Sequence, residues 1–172
     1  MEVHMKEAIR SEAGLLEGKY LTFNLMEEYY GINVDWILQI IAIPEITMIP
    51  KTPPFIKGVI NLRGKIIPVM DLRLRFNLPL QEYNERTSII IIKIKAGESE
   101  IFIGLIVDKV NEVLDIEEKE TEQTPTFGVE LDMQYILGMA KVKSKVTTLL
   151  NIGEILSQNV IKQLENTGIK EE

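Results

Sequence analysis

The chain has no cysteine and only one histidine, and these two scarcities remove several kinds of chemistry. Without cysteine there is no disulfide, no thiolate ligand for a metal and no thiol nucleophile. The single histidine, His4, lies close to the N-terminus, where most domains fray. We therefore expect neither a zinc site nor a Ser-His-Asp triad.

Long apolar runs are also missing. The purely apolar stretches are short, as at residues 89–92, whereas a membrane-spanning helix needs roughly 20 such residues. Residues 1–18 are mixed polar and lack the long apolar core of a secretory signal. We therefore expect neither a membrane span nor a secretory signal.

Positive charge is scarce relative to negative charge. The chain has 26 acidic and 19 basic residues, for a formal net charge of −7. Binding to nucleic acid depends on a surplus of Lys and Arg that neutralises phosphates. We therefore do not expect nucleic acid as a partner.

The sequence instead contains many short strand-like stretches separated by turn signals. The stretches are 19–26, 29–34, 37–41, 59–62, 65–70, 87–95, 100–108, 109–114, 135–143 and 145–150. Short strands at this spacing predict an all-β barrel or sandwich rather than βαβ units. Helix is predicted over 72–78, with Asp71 as N-cap, and over 151–164, with a single turn at 35–37.

The 172 residues suffice for one domain or for two small lobes that share a core. We expect a flexible segment over 1–18, one domain over 19–156, and the end of a helix with a frayed tail over 157–172. Within the domain, two lobes would divide near 78–86, where Pro, Asn, Gln and Glu accumulate, although some strands could belong to both lobes. No internal sequence repeat establishes this division.

Residues 55–73 predict a β-hairpin followed by a short helix. The two apolar strands flank a turn at 61–65, with Arg63 and Gly64 near its tip. Arg63 is either an ordinary solvated charge or a fixed guanidinium that binds a carboxylate in a fork geometry. The glycine beside it indicates a constrained turn, and we favour the functional interpretation.

Three other features have weaker functional interpretations. Residues 58–65 resemble a phosphate-binding loop, but the spacing is one residue too long and Ile66 replaces the hydroxyl ligand. The acids at 117, 118, 120 and 122 lie in a polar stretch typical of a solvated loop rather than of paired catalytic carboxylates. Trp36 could be either a core aromatic or an exposed binding anchor.

Eleven residues in 58–73 resemble the signature of the CheW-like family of bacterial chemotaxis coupling proteins. They are Gly58, Val59, Asn61, Leu62, Arg63, Gly64, Pro68, Val69, Asp71, Leu72 and Arg73. A second stretch, 104–114, is similar to the family's Gly-x-x-Val-Asp-x-Val-x-x-Val-Leu pattern. The resemblance covers about residues 19–156.

The resemblance implies an all-β fold of two SH3-like five-stranded β-barrels packed together, with a short helix and a C-terminal helix. It implies an adaptor without enzymatic activity or cofactor. Such an adaptor couples the cytoplasmic tips of methyl-accepting chemoreceptors to the histidine kinase CheA in arrays at the inner face of the membrane. The implied partners are the regulatory domain of CheA and the helical hairpin tip of the receptor.

The resemblance also implies a receptor-binding groove between the lobes. Its residues would be Ile37, Gln39, Ile40, Gly58, Arg63 and Gly64, with Val107 and Val110 from the second barrel. Ile37 and Ile40 would supply apolar contact and Arg63 a polar clamp. Gln39 stands where the family often has Glu, so any pairing of this position with Arg63 lacks charge assistance.

Two alternatives from other classes stay open. The first is a mimic of the kinase regulatory domain that inhibits rather than couples. The second is a small all-β enzyme that uses Asp71 or the acids of residues 117–122. Such an enzyme needs a concave site with two acids and a positioned water.

Overall fold

The computed structural model describes residues 16–122 and 133–156. Its strands are β1 (Gly18–Leu25), β2 (Glu28–Asn33), β3 (Ile37–Ala42), β4 (Ile56–Leu62), β5 (Lys65–Asp71), β6 (Ser88–Ala96), β7 (Ser99–Val107), β8 (Lys109–Ile116), β9 (Thr121–Glu122), β10 (Ile136–Val142) and β11 (Lys145–Leu150). Its α-helices are α1 (Leu72–Arg75) and α2 (Ile152–Ile155), and short 3-10 turns lie at Val34–Trp36, Glu118–Glu120 and Met133–Tyr135. The prediction of an all-β fold with few short helices is confirmed.

All ten predicted strands are present in this part of the chain. The largest difference is at β4, which begins at Ile56 rather than at residue 59, because a bulge between Ile56 and Gly58 keeps the strand paired. The two-residue strand β9 is too short to have left a pattern in the sequence. Of the predicted helix over 151–164, α2 is described, and residues 157–164 lie outside the described part, as do the predicted tail and most of the N-terminal segment.

The chain forms two compact units that are discontinuous in sequence. Of the described residues, 16–36, 110–122 and 133–155 belong to the first, here called the terminal unit. Residues 37–109 and Leu156 belong to the second, the central unit. The stretch 78–86 therefore lies within the central unit, and the chain passes between units at Trp36/Ile37 and at Lys109/Val110.

The central unit contains a five-stranded sheet in the order β3-β6-β7-β5-β4. Its middle strands are the most apolar, as expected for strands covered on both faces. Ile89, Ile90, Ile91 and Ile92 in β6 are all fully buried. β5 and β7 run parallel, with Val69 beside Gly104.

The terminal unit contains a six-stranded sheet in the order β8-β1-β2-β11-β10-β9. Here β11 and β2 run parallel, with Leu149 beside Gly31. Leu16, Tyr20, Ile116, Ala140 and Leu149 form a buried cluster. The sixth strand is β9, so the predicted number of five strands holds for the central sheet alone.

Each of the two sheets contains a hairpin that is followed by a short helix. Equivalent residues of the two copies differ in number by 80. β4 and β10 have the same burial pattern, and each has a register shift at its glycine, Gly58 or Gly138. After each hairpin, an amide donates to a carbonyl 16 residues earlier at 2.8 Å, from Asp71 to Phe55 and from Asn151 to Tyr135. The fold thus repeats a structure that the sequence conceals.

Candidate interaction site

Arg63 lies at the tip of the β4–β5 hairpin, in a two-residue loop. Arg63 has φ 53° and Gly64 has φ 87°, and positive values at both positions are typical of the type I′ turn that suits a twisted hairpin. The Gly64 amide donates to Asn61 Oδ1 at 2.9 Å. The turn is therefore fixed by local geometry, which agrees with the constrained tip expected from the sequence.

The side chain of Arg63 is exposed. It has no hydrogen bond or ion pair with any residue in 16–122 or 133–156. The equivalent residue in the other hairpin, Lys143, has φ 52° and pairs with Glu112 at 3.4 Å. The guanidinium of Arg63 is thus available to a partner, whereas the equivalent ammonium has an intramolecular one.

Gly58 supports the backbone rather than presenting a surface. Its φ is 143°, and a Cβ atom there would lie 2.1 Å from the carbonyl oxygen of Thr47. Thr47 and Val59 exchange two backbone hydrogen bonds, of 2.9 and 2.8 Å. Because Thr47 follows β3 and Val59 belongs to β4, the chain that leaves one edge of the central sheet reaches its other edge.

The strand β3 lies at an edge of the central sheet and alternates in exposure. Ile37 and Gln39 are half-buried, whereas Ile40 is 43% exposed. Leu38 is 52% exposed and shares the outward face with Ile40. Sequence reasoning missed Leu38, although period-two alternation from Ile40 would have indicated it.

Val107 and Val110 were expected together in the second barrel, but the chain changes units between them. Val107 ends β7 in the central unit and is 1% exposed, so it presents almost no surface. Val110 lies in β8 of the terminal unit and is half-buried. Trp36 lies where the chain first passes between the units and is also half-buried. It is therefore neither a fully buried core aromatic nor a fully exposed binding anchor.

A polar network occupies the other end of β5 in the central unit. Asp71 caps α1, with Oδ1 accepting from the amides of Arg73 at 2.9 Å and Leu74 at 3.4 Å. Its Oδ2 accepts from the Tyr83 hydroxyl at 2.7 Å. Burial, and then this hydrogen bond to Asp71, raises the pKa of Tyr83 above its ordinary value.

Arg73 extends the network and is 7% exposed. Its guanidinium forms a two-pronged ion pair with Asp108 and also donates to Pro79 O at 3.1 Å and to Gln81 Oε1. The hydrogen bond and ion pair with Asp108 raise its pKa. The sequence placed Arg73 in the signature but gave no sign of this arrangement, which depends on residues up to 35 positions away.

The acids near 117–122 are largely exposed, as predicted for a solvated stretch. Glu117 and Glu120 form a capping box around a short 3-10 turn, and Lys119 pairs with Glu117 at 3.1 Å. Across 16–122 and 133–156, no three His, Cys, Asp or Glu side chains are grouped so that they could hold a metal ion. In the same ranges, no helix is long and apolar enough to cross a membrane.

Comparison with known proteins yields a consistent group of relatives. The family model described as "CheW-like domain" matches residues 19–160. The "Chemotaxis protein CheW" of Klebsiella aerogenes is 32% identical over 150 residues, covering 87% of this chain and 88% of that protein. The Bacillus subtilis protein of the same name is 37% identical over 134 residues, with coverage of 78% and 81%.

A solved structure supports the same assignment. The crystal structure of "scaffolding protein TtCheW" from Thermoanaerobacter tengcongensis matches with a TM-score of 0.73 and 36% identity. The match covers 84% of this chain and 91% of that one. Sequence signature, fold and relatives agree, and the chain belongs to the CheW-like domain family.

Proposed function

We propose that this chain is a chemotaxis adaptor that couples the cytoplasmic tips of chemoreceptors to the histidine kinase CheA. Its relatives are named as chemotaxis proteins, and the matching crystal structure is of a protein named as a scaffold. An adaptor acts by binding two proteins and needs no reacting groups of its own. On this proposal the chain is not an enzyme and works in the cytoplasm, at the inner face of the membrane where receptor tips lie.

The observation that carries the receptor site is the exposed Arg63 on a fixed turn. Fixing the backbone beneath a long side chain reduces the conformational entropy that binding would otherwise cost. An unpaired guanidinium can bind a carboxylate in a fork geometry, and charge-assisted hydrogen bonds are about twice as strong as neutral ones. The receptor contact would then be anchored by a residue that the fold itself does not use.

Apolar contact would come from the edge strand β3. A helical hairpin presents apolar ridges, and such ridges bind to apolar surface on the partner. Ile40 and Leu38 offer exposed apolar surface, while Ile37 and Gln39 lie on the half-buried side of the strand. Gln39 would contribute a neutral hydrogen bond.

The remaining candidates have supporting roles in the proposal. Gly58 and Gly64 hold the backbone in conformations with positive φ. Val110 offers partial surface, whereas Val107, the buried last residue of β7, offers almost none. The proposed receptor-binding set therefore has Arg63, Gln39 and Ile40 as direct contacts, with Leu38 added from the exposed face of β3.

Reconstitution tests this function against its main alternative. The purified chain is mixed with CheA, with or without a receptor cytoplasmic fragment, and kinase autophosphorylation is measured. A coupler raises kinase activity only when receptor is present. An inhibitory mimic lowers the activity in both conditions, and that result would overturn the proposal.

A further inference from the structure

The β10–β11 turn repeats the surface chemistry of the Arg63 turn as well as its backbone. Each turn begins with an exposed basic residue, Arg63 or Lys143, at nearly the same positive φ. The strand after each turn begins with a lysine whose ammonium lies over an aromatic ring of the parallel neighbouring strand. These pairs are Lys65 over Phe102, with the nitrogen 4.3 Å from the ring centre, and Lys145 over Tyr29, at 4.7 Å. An exposed aliphatic residue follows each lysine, Ile66 in one strand and Val146 in the other. Both turns therefore combine positive charge with apolar surface.

The edge strands of the two sheets also correspond. In the central sheet the edge strand β3 adjoins β6, and in the terminal sheet the edge strand β8 adjoins β1. After β3 the chain returns to pair Thr47 with Val59 of the first hairpin. After β8 it returns to pair Glu122 with Met139, which is the equivalent of Val59 in the second hairpin. The terminal unit thus has a counterpart of both elements that we assign to receptor binding, the turn and the edge strand.

The two edge strands differ in charge. β3 has no charged residue and exposes Leu38 and Ile40. β8 exposes the aliphatic Val113, but it also exposes the acids Glu112 and Asp115. A partner that presents apolar ridges and a carboxylate suits β3 and not β8. Apolar contact would desolvate the two acids of β8, and the partner's carboxylate would be repelled by them.

Glu112 is held where it acts on the second turn. Its carboxylate lies 3.4 Å from Lys143 Nζ. Its backbone is fixed by the buried hydroxyl of Thr22, which donates to Glu112 O at 2.7 Å and accepts from Glu112 N at 3.2 Å. The acid therefore pairs, from a fixed backbone, with the residue that is equivalent to the unpaired Arg63.

This ion pair has more effect on binding than on folding. Both of its side chains are largely exposed, and exposed pairs contribute little stability. At the surface, however, the pair occupies the Lys143 ammonium and places a negative charge beside it. Repulsive groups of this kind are a common means of rejecting an unwanted contact.

We propose that the Lys143 turn and β8 form a second copy of the receptor site, which Glu112 and Asp115 keep closed. This inference rests on the proposed adaptor function. A receptor carboxylate meets an unpaired guanidinium at Arg63, but in the terminal unit it meets a paired ammonium and two like charges. The two acids are thus specificity-determining residues that restrict the receptor to one of two similar surfaces.

Titration calorimetry of the full chain with a receptor cytoplasmic fragment tests this inference. The unsubstituted chain should bind the fragment at one site. The opened variant, Glu112→Gln with Asp115→Asn, should bind it at two sites, the second roughly tenfold weaker because an ammonium lacks the fork geometry of a guanidinium. An opened variant that folds and binds at one site with unchanged affinity would overturn the inference.

The control variant separates a local effect from a change in net charge. Glu17→Gln with Glu118→Gln also removes two exposed acids from the terminal unit. Neither acid has a hydrogen bond or ion pair with the described lysines of the second turn. The control should bind the fragment at one site, and a second site in this variant would contradict the role given to Glu112 and Asp115.

The second site should depend on Lys143. Adding Lys143→Ala to the opened variant should abolish the second site, because the ammonium that Glu112→Gln releases is then missing. A second site that persists without Lys143 would contradict the inference. If the opened variant fails to fold, Glu112→Gln alone releases the same ammonium and should still give a second site, of lower affinity, that Lys143→Ala removes.

The two levels of proposal fail in different ways. If the unsubstituted chain does not bind the receptor fragment, the adaptor function fails, and this inference fails with it. If the unsubstituted chain binds at one site and the opened variant binds identically, only the present inference fails.

Discussion

Gly58 and Gly138 occupy the same position in the two hairpins, yet a side chain at each would meet different neighbours. At Gly58 a Cβ atom would lie 2.1 Å from the backbone oxygen of Thr47, and φ is 143°. At Gly138 it would lie 2.6 Å from Leu16 Cδ1, the end of a flexible side chain, and 3.0 Å from Glu122 O. No rotamer change can relieve the contact with the Thr47 backbone at Gly58. At Gly138, a change of the Leu16 rotamer can relieve the closer of the two contacts.

Gly58→Ala should therefore destabilise the protein more than Gly138→Ala. Strain at a positive φ costs about 1–3 kcal/mol, and the displaced Thr47–Val59 bridge adds to it. We expect a loss of about 3 kcal/mol in unfolding free energy for Gly58→Ala and about 1 kcal/mol for Gly138→Ala. Urea denaturation of both variants measures the difference, and equal losses would contradict the role given to Thr47.

Arg63→Ala should weaken binding to the receptor fragment by about 1–3 kcal/mol, because it removes a charged group from the contact. The melting temperature should change little, since Arg63 has no polar partner within the described ranges. Lys143→Ala is the control at the equivalent tip and should leave receptor binding unchanged. Calorimetry measures the affinity of the unsubstituted chain and of both variants for the receptor fragment. An equal loss of affinity in both variants would indicate a general charge effect and contradict the role given to Arg63.

Two ion pairs in this protein should differ in their contribution to stability because they differ in exposure. The side chains of Arg73 and Asp108 are 9% and 25% exposed, whereas those of Lys143 and Glu112 are 73% and 59% exposed. Asp108→Asn should cost about 2 kcal/mol, since it leaves a buried guanidinium poorly paired. Glu112→Gln should cost less than about 0.5 kcal/mol. Denaturant midpoints with an unchanged m-value would measure both, and similar costs would refute the exposure argument.

The strands were predictable because their signals are local. Alternation, β-branched runs and turn residues lie within each stretch, and Asp71 as the cap of α1 follows from the same short-range pattern. The pairing of these strands was not predictable. The parallel neighbours β5 and β7, for example, are joined through β6, and nothing in either strand identifies the other.

The internal repeat was hidden because it preserves geometry rather than residue type. Between 56–72 and 136–152, only the pairs Ile56/Ile136, Gly58/Gly138 and Lys65/Lys145 are identical. The turn keeps positive φ at both residues even though Ser144 replaces the favoured glycine. A division at 78–86 was plausible from composition, but polar residues there belong to the connection fastened by Arg73 and not to a linker between units.

Candidate site residues were predictable where their conformation depends on neighbouring residues, and not where it depends on distant strands. Arg63 and Gly64 form a two-residue hairpin loop, and a glycine in such a loop favours the positive φ values that the turn adopts. The burial of Val107 depends on the strands beside β7, which the sequence does not identify. Arg73 was visible as a motif residue, but its partners Asp108 and Gln81 meet it only in the folded chain.

Tyr83 should make stability depend on pH in the alkaline range. Its pKa is raised in the folded protein by burial and by the bond to Asp71, so the folded state retains a proton that an unfolded tyrosine releases near pH 10. The unfolded state then binds fewer protons, and stability falls as pH rises above about 10. The contribution is fully present below that pH and is lost above it.

Tyr83→Phe isolates this effect from the other titrating groups. At pH 7 the variant should be less stable by about 1 kcal/mol, because Asp71 loses a hydrogen bond. Above pH 10 the unsubstituted protein should lose up to about 1.4 kcal/mol per pH unit from this residue, and less if solvent reaches the hydroxyl, while Phe loses nothing. The stability gap should therefore shrink or reverse by pH 11. Urea unfolding at pH 7, 9 and 11 measures the gap, and a constant gap would show that Tyr83 ionises in the folded state as readily as in the unfolded chain.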